Sequence, residues 1–450
     1  MLESKCFFEI SILVSLTERI NTVEENSMNR MNSTIIFCFL LNSLLSAQNF
    51  LETDPAKVGF ITKRLDRIDN VIINSIDRGE IPGAVALIAK NGKIAYHKSF
   101  GFSDIDSQNP MKKNSIFRIA SMTKAITTAG VMILHERGHF MLNDPISKYI
   151  PEFKNPRILV EADSSGIVLK TEPSKNEIRI IDLLTHSSGL GYTFIKSDLQ
   201  KVYQKAGIID GITEKPIVLE NQMKKLAELP LLFEPGSKYQ YGLNTDLLGY
   251  LCEVISRKSL DDFFRDEIFI PLKMNDTYYY IPSDKKDRLV TLYAWVDEKG
   301  LIVSKGEESN IKLVNPNYPI KGARSYFSGG GGLSSTAYDY SRFVQMLLNN
   351  GKLEEARVLS RKSVELMRRA RIDWNNDNEP DFGFGFYVIN DIAKAGELGS
   401  DGSYSWGGAF YTSYWIDPKE NLIGVFMSQL RPSKTDVSKK FRSLAYQALE

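Results

Sequence analysis

The sequence predicts an α/β (α+β) protein: one antiparallel sheet, flanked by helices, with a mostly helical subdomain inserted between its strands. Short apolar runs typical of strands occur toward both ends of the chain, at 84–100 and 384–427. Helical patches and polar loops occupy most of the stretch between them, from about 144 to 319. Strands from both ends are therefore expected to share one sheet, with helices covering its faces and a ligand cleft beside the insertion.

The first elements are a helix and a hairpin. Apolar residues at helical spacing predict an amphipathic helix over 58–80: Leu65, Ile68, Val71, Ile72 and Ile76. Residues 84–89 and 94–100 are expected to be strands joined by a tight turn, because Asn91-Gly92 lies between them.

The later elements follow from the same patterns. Residues 121–136 predict a buried helix. Further helices are expected at 180–184, 221–229, 246–256 and 336–348, and a last one from about 434. Strands are expected at 384–389, 409–416 and 422–427, and a glycine run occupies 329–332.

Composition excludes several classes of protein. Lys plus Arg number 56 and Asp plus Glu 55, so the net charge of +1 offers no basic surface for nucleic acid. The three cysteines, Cys6, Cys38 and Cys252, are widely separated, which indicates neither a disulfide framework nor a zinc–thiolate site.

The N-terminus resembles a targeting segment. A basic residue, Arg30, precedes a short apolar run at 34–45 and the small residues Ser46-Ala47, as in a secretory signal peptide. We therefore expect an extension and signal over 1–47, with translation starting at Met1, Met28 or Met31, and an exported, periplasmic or secreted protein. The run is too short for a stable membrane span. One domain is expected over 48–450, with sheet regions at about 55–115 and 320–450 and a helical subdomain at about 116–319.

The first chemical motif is Ser121-Met122-Thr123-Lys124. Residues three apart on a helix share a face, so the Ser121 hydroxyl and the Lys124 amine are expected to touch. A hydroxyl becomes a useful nucleophile only beside a base, and a buried lysine favours its neutral form. A capping serine with an exposed lysine is the alternative, although the surrounding helix is too apolar for an exposed face.

Two further segments are candidates for the same site. Tyr241 follows a Pro235-Gly236 turn and precedes a helix, so its phenol can point into a cleft and move protons beside Lys124. The segment Trp406-Gly407-Gly408-Ala409 leads into a strand, and its glycines would let the strand edge approach a ligand. Each of these, taken singly, is also compatible with ordinary packing.

Together these motifs resemble the serine β-lactamase and penicillin-binding superfamily over residues 55–450, with the greatest similarity to class C-like members and family VIII esterases. The resemblance implies a β-lactamase/transpeptidase-like fold and no cofactor. It implies Ser121 as nucleophile, Lys124 and Tyr241 in proton transfer, and an oxyanion hole from the N–H groups of Ser121 and Ala409. Further matching segments are 81–84, 143–149, 183–190 and 329–337.

Two departures from the class C pattern bear on the substrate. Leu243 stands where those enzymes carry Asn, and Trp406-Gly407-Gly408 stands where they carry Lys-Thr-Gly. The resemblance then implies an esterase for small neutral esters, with these four residues contacting substrate. The alternatives are a D-amino-acid peptidase or β-lactamase acting on amides or peptides, and an inactive cell-envelope binding protein on the same fold.

Two histidine signals compete with this interpretation. His135–His139 matches HExxH, a zinc-protease motif, but Gly138 is expected to end the helix and take His139 off the face of His135. His186 is expected to be structural, in a helix end with a glycine cap at Gly189. The chain contains no G-x-S-x-G elbow, which argues against an α/β-hydrolase.

Overall fold

Strands from both ends of the chain form one antiparallel sheet, as the sequence predicts. The computed structural model describes residues 50–306, 316–375, 377, 379 and 381–450. The expected signal segment, with Cys6 and Cys38, lies outside these residues, so export and the start site stay predictions. The sheet has seven strands, which lie side by side in the order Tyr387–Val388, Tyr404–Gly408, Thr412–Asp417, Leu422–Met427, Gly83–Lys90, Lys93–Asp104 and Asn109–Pro110.

The strands of the described residues are numbered here in chain order. They are β1 Gly83–Lys90, β2 Lys93–Asp104, β3 Asn109–Pro110, β4 Phe117–Arg118, β5 Arg157–Ala162, β6 Val168–Pro173, β7 Tyr293–Val296, β8 Gly300–Val303, β9 Ser334–Ser335, β10 Lys352–Leu353, β11 Ala356–Arg357, β12 Tyr387–Val388, β13 Tyr404–Gly408, β14 Thr412–Asp417 and β15 Leu422–Met427.

The α-helices of the same residues are numbered in the same way. They are α1 Thr62–Asp77, α2 Thr123–Glu136, α3 Ile180–Leu184, α4 Asp198–Ala206, α5 Leu219–Ala227, α6 Asn244–Ser256, α7 Leu260–Phe264, α8 Ala337–Leu348, α9 Arg361–Met367, α10 Ile392–Ala395 and α11 Val437–Gln447.

Strand β1 divides the core because successive side chains point to opposite faces of a sheet. Val85, Leu87 and Ala89 pack into the larger core, which also contains α2 and α8. Ala84, Ala86 and Ile88 pack into the smaller core, against α1 and α11. The strand is therefore apolar on both faces, and each large aliphatic side chain buried there contributes about 1.5–3 kcal/mol.

The predicted hairpin and most helices are confirmed, with shifted ends. Asn91 and Gly92 both have positive φ, at 53° and 71°, which is the turn geometry that an Asn-Gly pair favours. Helix α1 begins at Thr62 rather than residue 58, because a 3₁₀ turn at Pro55–Val58 ends in left-handed Gly59. The last helix begins at Val437 rather than 434.

Two strand predictions near the C-terminus are wrong in extent. The sequence predicts one strand at 409–416, but residues 409–411 form the turn between β13 and β14, so the strand begins only at Thr412. Trp406, Gly407 and Gly408 therefore lie inside β13, and Ala409 lies just after it. The expected strand at 384–389 is reduced to the two residues of β12.

The region between the sheet strands is mainly helical, with two small hairpins, β5–β6 and β7–β8, that the sequence pattern did not reveal. Residues 50–450 form one compact unit, and the predicted internal boundaries at about 116 and 319 stay predictions. In the part of the chain that the structure describes, no helix is both long and apolar enough to cross a membrane.

Candidate active site

Ser121 lies in a tight turn that leads into α2. Residues Ala120–Met122 form a 3₁₀ turn, and the α-helix starts at Thr123. Ala120 has a φ of 42°, an uncommon backbone conformation for alanine that costs about 1–2 kcal/mol. Such strain concentrates at functional sites, and here it immediately precedes the predicted nucleophile.

Three predicted side chains meet at the Ser121 hydroxyl. The Tyr241 hydroxyl donates a hydrogen bond to Ser121 Oγ at 2.7 Å. The Lys124 ammonium donates to the same oxygen at 3.3 Å. Two groups able to exchange protons therefore contact one partly exposed hydroxyl, which is the arrangement that an activated serine requires.

Lys124 is held inside the protein, with only 1% of its surface exposed. Its Nζ donates to the carbonyl of Gly330 at 2.6 Å. The same atom lies 4.6 Å from the centre of the Tyr241 ring and 5.5 Å from that of Tyr192, close enough for cation–π attraction. The ammonium is thus fixed in place by groups on three separate segments.

A buried carboxyl supports this lysine. Asp246, on α6, accepts a hydrogen bond from Ser328 Oγ at 2.6 Å. Burial raises the pKa of Asp246, and the positive charge of Lys124 partly offsets that rise. The other Asp246 oxygen lies close to Gly330, because a methyl group added at residue 330 would be only 2.3 Å from it. Residue 330, whose carbonyl accepts the hydrogen bond from Lys124, must therefore be glycine.

Tyr241 is oriented by aromatic neighbours. Its ring centre lies 4.9 Å from that of His186 and 5.8 Å from that of Trp406. His186 is fully buried and shares a hydrogen bond of 2.9 Å with the side-chain amide of Asn244. Burial, with the charge of Lys124, lowers the pKa of His186 well below its usual value, so the ring is neutral. The histidine therefore acts as packing for Tyr241.

The predicted glycine cap at this helix end is wrong. Helix α3 ends at Leu184, and His186 itself takes the left-handed conformation, with a φ of 54°. The Ser187 N–H bonds to the Asp182 carbonyl across the cap. This backbone turn places the imidazole against the Tyr241 ring, with the two ring centres 4.9 Å apart.

The predicted oxyanion donors lie on the wall of one cavity. Ser121 and Ala409 both line it. Gly408 brings the end of β13 against the start of the nucleophile turn, since a Cβ on Gly408 would lie 2.3 Å from the Ile119 carbonyl oxygen. Arg431 Nη1 donates to the Ala409 carbonyl at 3.2 Å, which fixes the next peptide group, between residues 409 and 410.

This close approach makes a matched pair of substitutions informative. We expect Gly408→Ala to lower kcat by about 10²-fold, because the new methyl group displaces the Ala409 N–H from the oxyanion position. Gly407→Ala is expected to lower kcat far less, because its methyl group would come no closer than 3.3 Å to the Thr412 carbonyl oxygen, so a small backbone adjustment at this exposed position accommodates it. Steady-state kinetics on a short acyl ester would check both, and equal effects would contradict this role for Gly408.

The cavity around Ser121 has a volume of about 700 Å³, within the usual range for small-molecule sites. Trp406, Gly407 and Gly408 line it, where the sequence placed substrate contacts. Leu243 does not, so its predicted substrate contact is wrong. The side chain is fully buried in the larger core, because α6 begins directly after it and turns it inward.

The HExxH match is not continued on one helix. Helix α2 ends at Glu136, and Gly138 takes the left-handed conformation with a φ of 78°. The Nδ1 atom of His135 instead pairs with the Phe140 carbonyl at 2.9 Å. Among the described residues, no group of three or more His, Cys, Asp or Glu side chains is arranged to hold a metal ion.

Sequence reasoning missed three parts of this site. The sequence shows the glycine run at 329–332, but it does not reveal that the Gly330 carbonyl accepts a hydrogen bond from Lys124. Asp246 was included in a helix without a role. Asp210, which lines the cavity, lies in a segment with no recognisable motif. A charged residue in an otherwise apolar helix was the one available signal, and it applied only to Asp246.

These features define a class of protein: a serine hydrolase of the β-lactamase/transpeptidase-like fold, with a lysine and a tyrosine on the serine hydroxyl. The chain belongs to the Beta-lactamase family, whose model matches residues 68–449.

Named relatives agree with this assignment. The chain is 31% identical to Esterase EstB of Burkholderia gladioli over 363 residues, covering 78% of this chain and 86% of that protein. The solved structure of EstCE1, described as a hydrolase with promiscuous acyltransferase activity, is similar at a TM-score of 0.74 and 27% identity, covering 86% of this chain and 98% of that one. The simvastatin synthase LovD of Aspergillus terreus, 22% identical with a TM-score of 0.71, shares the fold over 86% of this chain and 97% of its own.

Proposed function

We propose that the protein is a serine esterase that forms an acyl-enzyme at Ser121 and passes the acyl group to water or to another alcohol. The observation that carries this proposal is the pair of hydrogen bonds that Tyr241 and Lys124 make to one serine oxygen. Similarity to EstB and EstCE1, whose names describe an esterase and a hydrolase with acyltransferase activity, supports it.

Acylation begins with attack of Ser121 Oγ on the ester carbonyl carbon. The hydroxyl proton passes to whichever of the two hydrogen-bonded groups holds one proton fewer, a Tyr241 phenolate beside the Lys124 ammonium or a Lys124 amine beside the Tyr241 phenol. The carbonyl oxygen becomes an oxyanion, which we expect the N–H groups of Ser121 and Ala409 to bind, since both residues line the cavity. The proton then moves to the departing alkoxide, so an alcohol leaves and an ester to Ser121 remains.

Deacylation repeats these steps with a new nucleophile. Water or an alcohol enters the cavity and gives its proton to the same tyrosine–lysine pair. The Ser121 ester bond breaks, and the proton returns to Ser121 Oγ. The cavity is open to solvent and large enough for a second small molecule, which supports transfer to alcohols as well as hydrolysis.

The walls of the cavity favour esters over β-lactams. Neither residue 243 nor residues 406–408 supplies the amide or ammonium with which class C enzymes hold a β-lactam. Trp406 instead adds an aromatic surface, and its ring centre lies 5.7 Å from that of Trp374. These rings offer broad apolar contact to an acyl or alcohol group.

The test is intact-mass detection of the acylated protein. We expect short acyl esters to add one acyl mass at Ser121, located by peptide mapping, whereas D-amino-acyl amides and β-lactams add little. Faster acylation by a cephalosporin than by any ester would favour a β-lactamase instead. An absence of label from every ester, and from a fluorophosphonate probe, would indicate an inactive binding protein.

A further inference from the structure

One carboxyl on the cavity wall has no part in the chemistry at Ser121. Asp210 is half-buried and lines the same cavity as the nucleophile. Its two oxygens accept hydrogen bonds from a single neighbour, the backbone N–H of Thr193 at 2.9 Å and the Thr193 hydroxyl. These bonds fix the orientation of the carboxylate and leave lone pairs on both oxygens unused.

This carboxylate lacks a cation. Within the described part of the chain, neither lysine, arginine nor histidine forms an ion pair with Asp210 or contributes to its electrostatics, and the one charged group that acts on it is Asp246. By contrast Glu397, the other carboxylate on the cavity wall, is 3.3 Å from Arg442. Proteins rarely keep a partly buried charge without a partner, so a missing cation at Asp210 points to one brought by a ligand.

The surroundings of Asp210 suit a cation as well. Tyr192 and Phe194 line the cavity with it, their rings stacked with centres 4.7 Å apart, and the half-buried Phe194 is the ring that a ligand can reach because Tyr192 is buried. The Tyr192 ring in turn packs against that of Tyr241 at 5.3 Å. Aromatic faces beside a carboxylate are the usual means by which proteins hold ammonium groups, because the ring quadrupole attracts positive charge.

The rest of the cavity wall would direct a charged substrate to this part of the site. Positive groups also line the cavity at Arg431, Lys439 and Arg442, and among the described lining residues Glu397 is the one carboxylate paired with any of them. A positive group is therefore repelled there and attracted toward Asp210. Lys124, also positive, is already engaged by the Gly330 carbonyl and is not among the charges that act on Asp210.

We infer that the site selects esters that carry an ammonium group, which Asp210 binds beside the ring of Phe194. This inference rests on the proposed esterase function and names its substrate class. Asp210 is then a residue that determines specificity, and the ester bond is still cleaved at Ser121.

The test compares pairs of esters that have the same shape and differ by one charge. Acetylcholine and 3,3-dimethylbutyl acetate place the difference on the alcohol side, while the ethyl esters of 4-(trimethylammonio)butanoic acid and of 5,5-dimethylhexanoic acid place it on the acyl side, far enough from the carbonyl not to change its reactivity. For at least one of the two pairs, we expect kcat/KM for the cationic ester to exceed that for its neutral counterpart by about tenfold or more at pH 8. The pair that shows the preference identifies the side of the ester that Asp210 contacts.

The matched variants are Asp210→Asn and Glu397→Gln. Asp210→Asn keeps the shape but removes the charge, so the preference should disappear while the neutral ester is still cleaved. Glu397→Gln removes the carboxylate that already has a cation, so the preference should persist. A preference that survives in Asp210→Asn, or that is absent from the unmodified protein, would overturn the inference.

The pH dependence provides a second readout. Burial, with the nearby charge of Asp246, raises the pKa of Asp210 to about 6. The other titratable groups with which Asp210 interacts are the phenols of Tyr192, Tyr203 and Tyr326, whose pKa values burial raises, so they stay neutral. The carboxyl is charged above its pKa, so the ratio of the two kcat/KM values should rise with pH through about 6 and fall toward one below it. Dividing one kcat/KM by the other removes the pH dependence that comes from proton transfers common to both esters.

A third variant, Thr193→Val, tests the same assignment if Asp210→Asn does not fold. Thr193→Val removes the hydroxyl that donates to Asp210, a bond that lowers the pKa of the carboxyl, so the midpoint of the preference should move to higher pH. An unmoved midpoint would contradict the assignment to Asp210. The two proposals fail separately: neutral esters cleaved without a cation preference refute only the inference, whereas no acylation of Ser121 by any ester refutes the esterase itself.

Discussion

Replacing Ser121 by alanine is expected to lower ester turnover by about 10⁴-fold or more and to abolish the acyl adduct seen by intact mass. The substitution removes the atom that attacks the carbonyl, and neither Lys124 nor Tyr241 can substitute for it. Losses of this size are typical when the nucleophile of a serine hydrolase is removed, because the remaining groups stabilise the transition state without forming the covalent bond.

Ser413→Ala is the matched control for this experiment. Ser413 lines the same cavity, but its hydroxyl pairs with that of Ser438 at 2.8 Å, whereas Lys124 and Tyr241 donate to Ser121. We expect this variant to acylate at close to the original rate. Substantial ester turnover in Ser121→Ala, with a new adduct on another residue, would show that the nucleophile has been assigned wrongly.

Replacing Tyr241 by phenylalanine is expected to lower kcat by about 10²–10⁴-fold, the usual contribution of one acid–base group. The change removes only the oxygen that lies 2.7 Å from Ser121 Oγ. The ring contacts with His186 and Trp406 remain, so the fold and the cavity walls should be preserved. The measurement is single-turnover acylation by a chromogenic ester, which separates chemistry from product release.

Tyr239→Phe tests the specificity of that result. Tyr239 is two residues away and also packs against His186, with ring centres 5.9 Å apart. Its hydroxyl is buried and has no hydrogen-bond partner among the described residues. Losing this oxygen should therefore leave acylation almost unchanged. If the two variants were equally slow, the effect would come from packing around His186, and Tyr241 would have no special role in proton transfer.

Much of the fold and part of the site follow from local patterns. The apolar character of β1 on both faces, the Asn-Gly turn and the three-residue spacing of Ser121 and Lys124 concern neighbours in the chain, so the sequence alone predicts them. Strand limits near the C-terminus were less predictable, because β13 and β14 are separated by a turn of three ordinary residues at 409–411 that carries no strong turn signal.

Other parts of the site depend on contacts between distant segments. Tyr241 meets Ser121 across 120 positions, and Gly330 meets Lys124 across 206. The motif around Tyr241 suggested that it would point into a cleft, but nothing in it distinguished Leu243, which is in the core, from a residue of the cavity wall. The backbone direction at the start of α6 makes that distinction.

The sequence by itself determined the fold class, the contact between the proposed nucleophile Ser121 and Lys124, and the glycines in β13. Only the tertiary structure decided which of these carboxyls faces the cavity: Asp246 is enclosed behind the lysine, whereas Asp210 is on the cavity wall, with no cation paired to it among the described residues. The physical reason is that local spacing fixes which side chains share a face of one helix or strand. Burial and charge compensation depend on packing among segments far apart in the chain.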